Sequence, residues 1–232
     1  MCAACLGALR PFDAEFFCVT CRTPFLNAFP LDSEGRCALC RNGLRGFDAA
    51  YCFGSYEGYL RELIHLYKYG KIKSLAGPLA RLLATALPLD ERFDAVTPVP
   101  LHWLRQWRRG FNQSELLARY IARRSGVPLV RALRRRRSTL VQAGLSNTSR
   151  RTNVSGAFAV PADQRWRSQI RTKRILLIDD VMTTGATAAA CAFALKRAGA
   201  ARVALLTLAR VDRRMGVPLA APHTTMENSS DA

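Results

Sequence analysis

Ile175-Leu-Leu-Ile-Asp-Asp-Val-Met-Thr-Thr-Gly-Ala-Thr187 sets an apolar run against two carboxylates and a turn rich in threonine and glycine. Ile175–Ile178 is apolar at every position, the pattern of a parallel strand covered on both faces rather than the alternation of a half-exposed one. Beyond the polar residues, Ala188, Cys191, Ala192 and Leu195 recur on one helical face, and Gly199 closes that helix. In an open parallel sheet, ligands sit beyond the carboxyl ends of the strands. Here that end leads through a turn into a helix N-terminus, whose unpaired N–H groups and dipole suit a phosphate. Gly185 allows close backbone approach, and Thr183, Thr184 and Thr187 add hydroxyl donors. Carboxylates would repel that phosphate, so Asp179 and Asp180 need another task. Hydrogen-bonding a sugar diol, directly or through Mg²⁺, fits one ribose length away. An acidic helix cap with satisfied threonines is the plainer alternative, and the Gly-x₄-Gly-Lys-Ser/Thr pattern of a P-loop is absent.

The flanking sequence repeats strand and helix. Asp94-Ala-Val-Thr-Pro-Val-Pro100 reads as a short strand ended by prolines, and Val203–Leu208 as the strand after the helix. Helical spacing recurs in Tyr59, Leu60, Leu63, Ile64 and Tyr67, and again in Leu79, Leu82, Leu83 and Ala86. Leu116, Leu117, Tyr120 and Ile121 mark a further helix, with Asn112 or Ser114 as its N-cap. This alternation predicts an α/β domain with a parallel sheet over about 50–212. Residues 213–232 are polar and read as a disordered tail.

The first 45 residues are of another kind. Cysteines come in three C-x-x-C pairs, Cys2/Cys5, Cys18/Cys21 and Cys37/Cys40. The last two pairs read C-x₂-C-x₁₅-C-x₂-C, inside the spacing of a zinc ribbon, and supply the four thiolates of a structural zinc site. A redox C-x-x-C would follow a strand in a βαβ unit and would not be repeated. Cys2 and Cys5 could instead join Cys18/Cys21, or belong to a second site, which six cysteines cannot complete. Cys52 and Cys191 sit in apolar settings and read as core. A segment this short cannot bury a core of its own, so the metal replaces that burial.

Lys and Arg number 35 against 17 Asp and Glu, a formal net charge of +18. That favours polyanionic partners, nucleic acid or phosphorylated small molecules. Nearly all the excess is arginine in an alanine-rich chain, which a GC-rich genome would also produce. Arg134, Arg135, Arg136 and Arg137, with Trp103 and Trp107 among arginines, form a candidate surface for single strands; a solvated loop face and ordinary tryptophan packing are the alternatives. The sequence has no apolar run long enough to span a membrane and no secretory leader, so it reads as cytoplasmic, where clustered cysteines mean metal or redox chemistry.

The Ile178–Thr187 stretch resembles the phosphoribosyl pyrophosphate (PRPP) motif of type I phosphoribosyltransferases. Within that superfamily the chain resembles the competence protein ComF family, with its GntX-like members. The likeness runs through the cysteine pairs, Tyr56-Glu-Gly58, Leu63-Ile64, Lys68-Tyr69, Pro98-Val-Pro-Leu101 and Arg108-Arg-Gly-Phe-Asn-Gln113. It continues in Thr139, Gln142, Leu145, Arg150, Asn153 and Ala157-Phe158. It implies a phosphoribosyltransferase fold behind a zinc ribbon at about 1–45. Asp179 and Asp180 would hold the ribose hydroxyls, and Thr183, Thr184, Gly185, Ala186 and Thr187 would surround the 5-phosphate. Val99, Pro100 and Leu101 would form the pyrophosphate loop, with Arg105, Arg108 and Arg109 neutralising pyrophosphate. Residues 136–156 would be a mobile lid. Zn²⁺ and Mg²⁺ are the implied cofactors. The implied role is DNA uptake, with single-stranded DNA and the uptake machinery as partners; an active phosphoribosyltransferase in nucleotide metabolism, its acceptor unnamed, is the alternative. Members of that family often carry four cysteine pairs where this chain has three. Either the first pair precedes the given start or one site has been lost, so Cys2 and Cys5 stand apart from the other ligands.

Overall fold

The computed structural model describes residues 14–28, 30–43, 46–101, 110–136 and 156–211, with Gly7, Leu9, Pro11 and Trp107. Short strands β1 (Phe16–Phe17) and β2 (Pro24–Phe25) pair antiparallel, and a one-turn helix α1 (Ala38–Arg41) starts at Cys37. Then follow β3 (Ala49–Ser55), α2 (Gly58–Tyr69), α3 (Ala76–Thr85), β4 (Ala95–Pro98) and α4 (Gln113–Ser125). The chain continues through β5 (Arg134–Arg135), β6 (Phe158–Ala159), α5 (Gln164–Ser168), β7 (Arg174–Met182), α6 (Ala186–Arg197) and β8 (Arg202–Arg210). The disordered tail expected at 213–232 lies outside the described residues, as does all but the two ends of the expected lid.

Strands β3, β8, β7 and β4 lie side by side in that order, every pair parallel. Because successive side chains of a strand face opposite ways, β7 feeds two cores. Leu176 and Ile178 join Leu60, Ile64, Tyr67, Leu79, Leu83, Leu117 and Ile121 beneath α2, α3 and α4. Ile175 and Leu177 join Ala188, Cys191, Ala192 and Leu195 of α6 on the other face. Residues 175–178 are at most 1% exposed. Burial of such aliphatic side chains stabilises by roughly 1.5–3 kcal/mol each, which explains the unbroken apolar run.

The second core also contains Cys18, Cys21, Phe25 and Cys37. The cysteine segment thus shares its burial with the sheet. Cys191 is buried as expected; Cys52 is half-buried, its Sγ 3.1 Å from the Gly54 carbonyl.

Strand β7 runs four residues further than the apolar run suggests. Asp179 stands opposite Thr207, Val181 opposite Ala209 and Met182 opposite Arg210, so β8 supplies the pairing that keeps this polar stretch extended. Strand β4 accompanies β7 only to the Pro98–Ile178 pair. Past that point the two strands separate, and a cleft opens between them. Among the described residues, no helix is long and apolar enough to cross a membrane.

Candidate functional site

The cleft at the carboxyl ends of β4 and β7 holds about 240 Å³. It is walled by Val99, Pro100 and Leu101 after β4, by Asn112, Gln113 and Ser114 at the start of α4, and by Asp179–Thr183 and Gly185–Ala188. Tyr56, Lys68 and Arg135 complete it. Most of the residues proposed from sequence for ribose, 5-phosphate and pyrophosphate therefore face one space. Thr184 turns its hydroxyl toward the Ala186 amide at 3.4 Å instead. Arg105, Arg108 and Arg109 lie outside the described residues.

The two aspartates have different surroundings. Asp180 is paired with Lys68, Nζ to Oδ1 2.7 Å, both side chains largely buried. Asp179 accepts from the Ser114 hydroxyl and from the Asp180 amide, each at 2.9 Å. Loss of solvent around Asp179, followed by the negative charge of Asp180, raises its carboxyl to about 7 despite Lys68, the amide and Ser114. Behind them, fully buried Tyr67 donates to the Gln113 carbonyl at 3.0 Å, fixing the first turn of α4 that carries Ser114. Asn112, expected as an N-cap, makes no side-chain cap bond; its amide reaches the Val99 carbonyl at 3.1 Å and ties the loop after β4 to α4.

Lys68 and Ser114 were not singled out as site residues by the sequence reading. Lys68 had a signal, since Lys68-Tyr69 belongs to the family resemblance and falls in the last turn of a strongly periodic helix. Ser114 had none beyond its candidacy as a cap.

Gly185 opens α6 with φ 77°, a conformation that side chains disfavour. The Ala189 amide bonds its carbonyl at 2.8 Å, so the helix begins at the turn. Ala186 and Thr187, in the first turn of α6, line the cleft, and a helix N-terminus is the end that suits an anion.

A second constellation stands beside the first. The Sγ atoms of Cys18, Cys21, Cys37 and Cys40 all lie within 4.8 Å of one another, and three of the residues are buried. Cys21 and Cys37 sulfurs are 3.7 Å apart. Four thiolates at about 2.3 Å from a tetrahedral ion would be separated by roughly 3.8 Å, so the cluster could hold a metal ion. The sulfur–sulfur hydrogen bond with Cys21 is the first cause that lowers the Cys37 thiol to about 5. Burial foremost pushes Cys40 up to about 12. Cys2 and Cys5 lie outside the described residues.

Arg134 and Arg135 do not share one surface. Arg135 lines the cleft, its guanidinium 5.4 Å from the Phe158 ring, whereas neighbouring Arg134 lies over Trp166 at 5.4 Å. Arg165 also lies 5.4 Å from that ring. Alternation along β5 sends the two neighbours opposite ways. Trp166 is thus the aromatic beside Arg134, and no motif pointed to it. Trp107 is 83% exposed, so packing does not account for it; Trp103 and Arg137 lie outside the described residues.

A larger hollow of about 720 Å³ lies between the cysteine segment and the starts of β7 and β8, walled by Phe17, Tyr51, Glu91, Arg174 and Arg202 among others. Glu91 is already held there by Tyr51, Arg174 and Arg202. Among its described lining residues the hollow has neither a glycine turn nor a helix start, so the chemistry points to the smaller cleft.

Residues 109–230 match the phosphoribosyl transferase domain family. Competence protein F of Haemophilus influenzae is 33% identical over 181 residues, which cover 75% of this chain and 78% of the relative. The DNA utilization protein YhgH of Escherichia coli K12 is 31% identical over 220 residues, 90% of each chain. Among solved structures, the allosteric regulatory enzyme of purine biosynthesis aligns over 58% of this chain at 23% identity and a TM-score of 0.40; the alignment spans 25% of that enzyme. Identity above 30%, sustained over most of both chains and joined to the phosphoribosyl transferase domain, places this protein in the competence protein F family.

Proposed function

We propose that the protein binds PRPP with Mg²⁺ in the cleft between β4 and β7. We further propose that it acts in DNA uptake, handling single-stranded DNA in the cytoplasm beside the uptake machinery. The observation that carries the first reading is the convergence of Asp179, Asp180 and the Gly185–Thr187 turn on one cleft. In this reading the aspartates take the ribose hydroxyls, directly or through Mg²⁺. The turn takes the 5-phosphate, and Val99–Leu101 with Arg105, Arg108 and Arg109 take the pyrophosphate. Lys68, already 2.7 Å from Asp180, orients that carboxylate and adds a positive charge for the phosphates. Zn²⁺ in the four-cysteine cluster joins the segment at 1–45 to the body at 50–212.

The role in DNA uptake rests on the likeness to a competence protein and a DNA utilization protein. The net charge of +18 suits a polyanion.

Thermal unfolding tests the ligand assignment. At 100 times its Kd, a ligand that binds only the folded state stabilises by about 2.7 kcal/mol. For a chain of this size that is a rise of roughly 5–10 °C. PRPP with Mg²⁺ is expected to raise the melting temperature of wild type by such an amount and to leave Asp180→Asn unmoved. An equal rise in the variant would remove the aspartates from the site.

A further inference from the structure

The phosphate turn rests on the cysteine segment. Gly185 has its open side against Leu39: a Cβ placed there would lie 2.6 Å from Leu39 Cδ1 and 3.7 Å from the Met182 sulfur. Leu39 belongs to α1, between Cys37 and Cys40, two of the four cysteines whose sulfurs converge. A second close approach lies at Gly46, where the chain leaves the cysteine segment. A Cβ at Gly46 would lie 2.1 Å from the Ala189 carbonyl oxygen and 2.8 Å from the Phe193 amide, both in α6. The helix that starts at the phosphate turn is therefore flanked at two points by the segment that gathers the cysteines. Met182, Ala188 and Ala189 share a hydrophobic cluster with Cys18, Cys21 and Cys37, and Leu39 and Cys40 pack against it.

Helix α1 has four residues and no side-chain N-cap. So short a helix is not stable by itself, and its position depends on what holds Cys37 and Cys40. A tetrahedral ion bound by four thiolates fixes both. Leu39 then stands as a wall beneath Gly185, and the amides of the turn are held in place before any anion arrives. A pre-ordered turn binds more tightly than one that must be ordered on binding.

We propose that Leu39 is a positioning residue for the phosphate turn, and that through it the metal bound by the cysteines and the PRPP bound in the cleft strengthen each other's binding. The proposal rests on the phosphoribosyl reading of the cleft and on zinc as the metal. Linkage is reciprocal: if the metal tightens PRPP by some factor, PRPP tightens the metal by the same factor. A purely structural zinc, remote in effect from the cleft, would show no such reciprocity.

The test uses the full zinc-loaded chain. Zinc affinity is measured by competition with a chromogenic chelator, with and without saturating PRPP and Mg²⁺, for wild type, Leu39→Ala and Leu39→Met. PRPP affinity is titrated in parallel. Saturating PRPP is expected to raise the zinc affinity of wild type by about 10-fold, within the usual range of coupling. Leu39→Ala should still bind zinc but lose most of that gain, and should bind PRPP about 10-fold more weakly than wild type. Leu39→Met, which refills the space, should recover both. A wild-type zinc affinity indifferent to bound PRPP overturns the proposal whatever the variants do. Full linkage in Leu39→Ala overturns the part given to Leu39. Should Leu39→Ala fail to fold or to hold zinc, the wild-type competition with Leu39→Met decides alone. A wild type that binds no PRPP at all is a different result: it removes the phosphoribosyl reading, and the linkage with it.

Discussion

Two adjacent aspartates share one strand end, and the chain surrounds them differently. Asp180 has a cation at 2.7 Å, while Asp179, on the cleft wall beside another carboxylate, is raised to about 7, by loss of solvent first and by the charge of Asp180 next. The folded protein therefore keeps a proton on Asp179 that the unfolded chain has released, since an ordinary aspartate ionises near 3.8. With more protons bound in the folded state, this group's contribution to stability falls as pH rises from about 4 to about 7. Urea unfolding at pH 5 and pH 8 should show that loss in wild type, and Asp179→Asn should show less of it. Ionised Asp179 accepts hydrogen bonds from ribose hydroxyls better than the protonated acid. PRPP affinity should therefore rise through pH 7 in wild type, and the rise should shrink in Asp179→Asn; comparing the two removes the ligand's own titration. At this scale the aspartates were legible because they are contiguous and follow a buried strand. Ser114 was not, and Lys68 only through the family resemblance, because their contacts join residues far apart in sequence. Lys68→Met should fold and weaken PRPP about 10- to 150-fold, in keeping with the ~1.5–3 kcal/mol of a hydrogen bond to a charged group; unchanged affinity would remove Lys68 from the site.

Among the elements, the turn between β7 and α6 and the helix between Cys37 and Cys40 bear most on the proposed function. Gly185 is needed twice, for its φ of 77° and for its contact with Leu39. Gly185→Ala should cost about 1–3 kcal/mol for the backbone alone, read from denaturant midpoints, and should abolish PRPP binding. The cysteines share a core with α6 and β7, so removing the metal should lower the main unfolding transition rather than add an early separate one. Calorimetric unfolding with and without a chelator reads this directly. The C-x₂-C spacing showed which residues could gather, because ligand geometry constrains it. Where they would dock was hidden, because Leu39 and Gly46 do so by shape and carry no chemical motif. The end of β7 was misplaced for a similar reason: the apolar run stops at Ile178, but pairing with β8 carries the strand to Met182.

For the whole molecule, strand–helix alternation was enough to foresee a parallel α/β sheet, and the two faces follow from the side-chain period of β7 and β8. Charge was less legible, because composition does not say which way an arginine points. The fold sends Arg135 into the cleft and Arg134 onto Trp166. Arg134→Ala with Arg136→Ala should weaken single-stranded DNA and reduce its log–log salt slope by about 1 to 2, as expected for lost phosphate contacts. Arg135→Ala should mainly weaken PRPP; an unchanged slope in the first variant would dismiss that surface. The central claim is the live PRPP site, and calorimetric titration of PRPP with Mg²⁺ into zinc-loaded wild type and Asp179→Asn/Asp180→Asn tests it most directly. The expected result is saturable, Mg²⁺-dependent binding to wild type and none to the folded double variant. No binding to folded, zinc-loaded wild type, or equal binding to both, would contradict it.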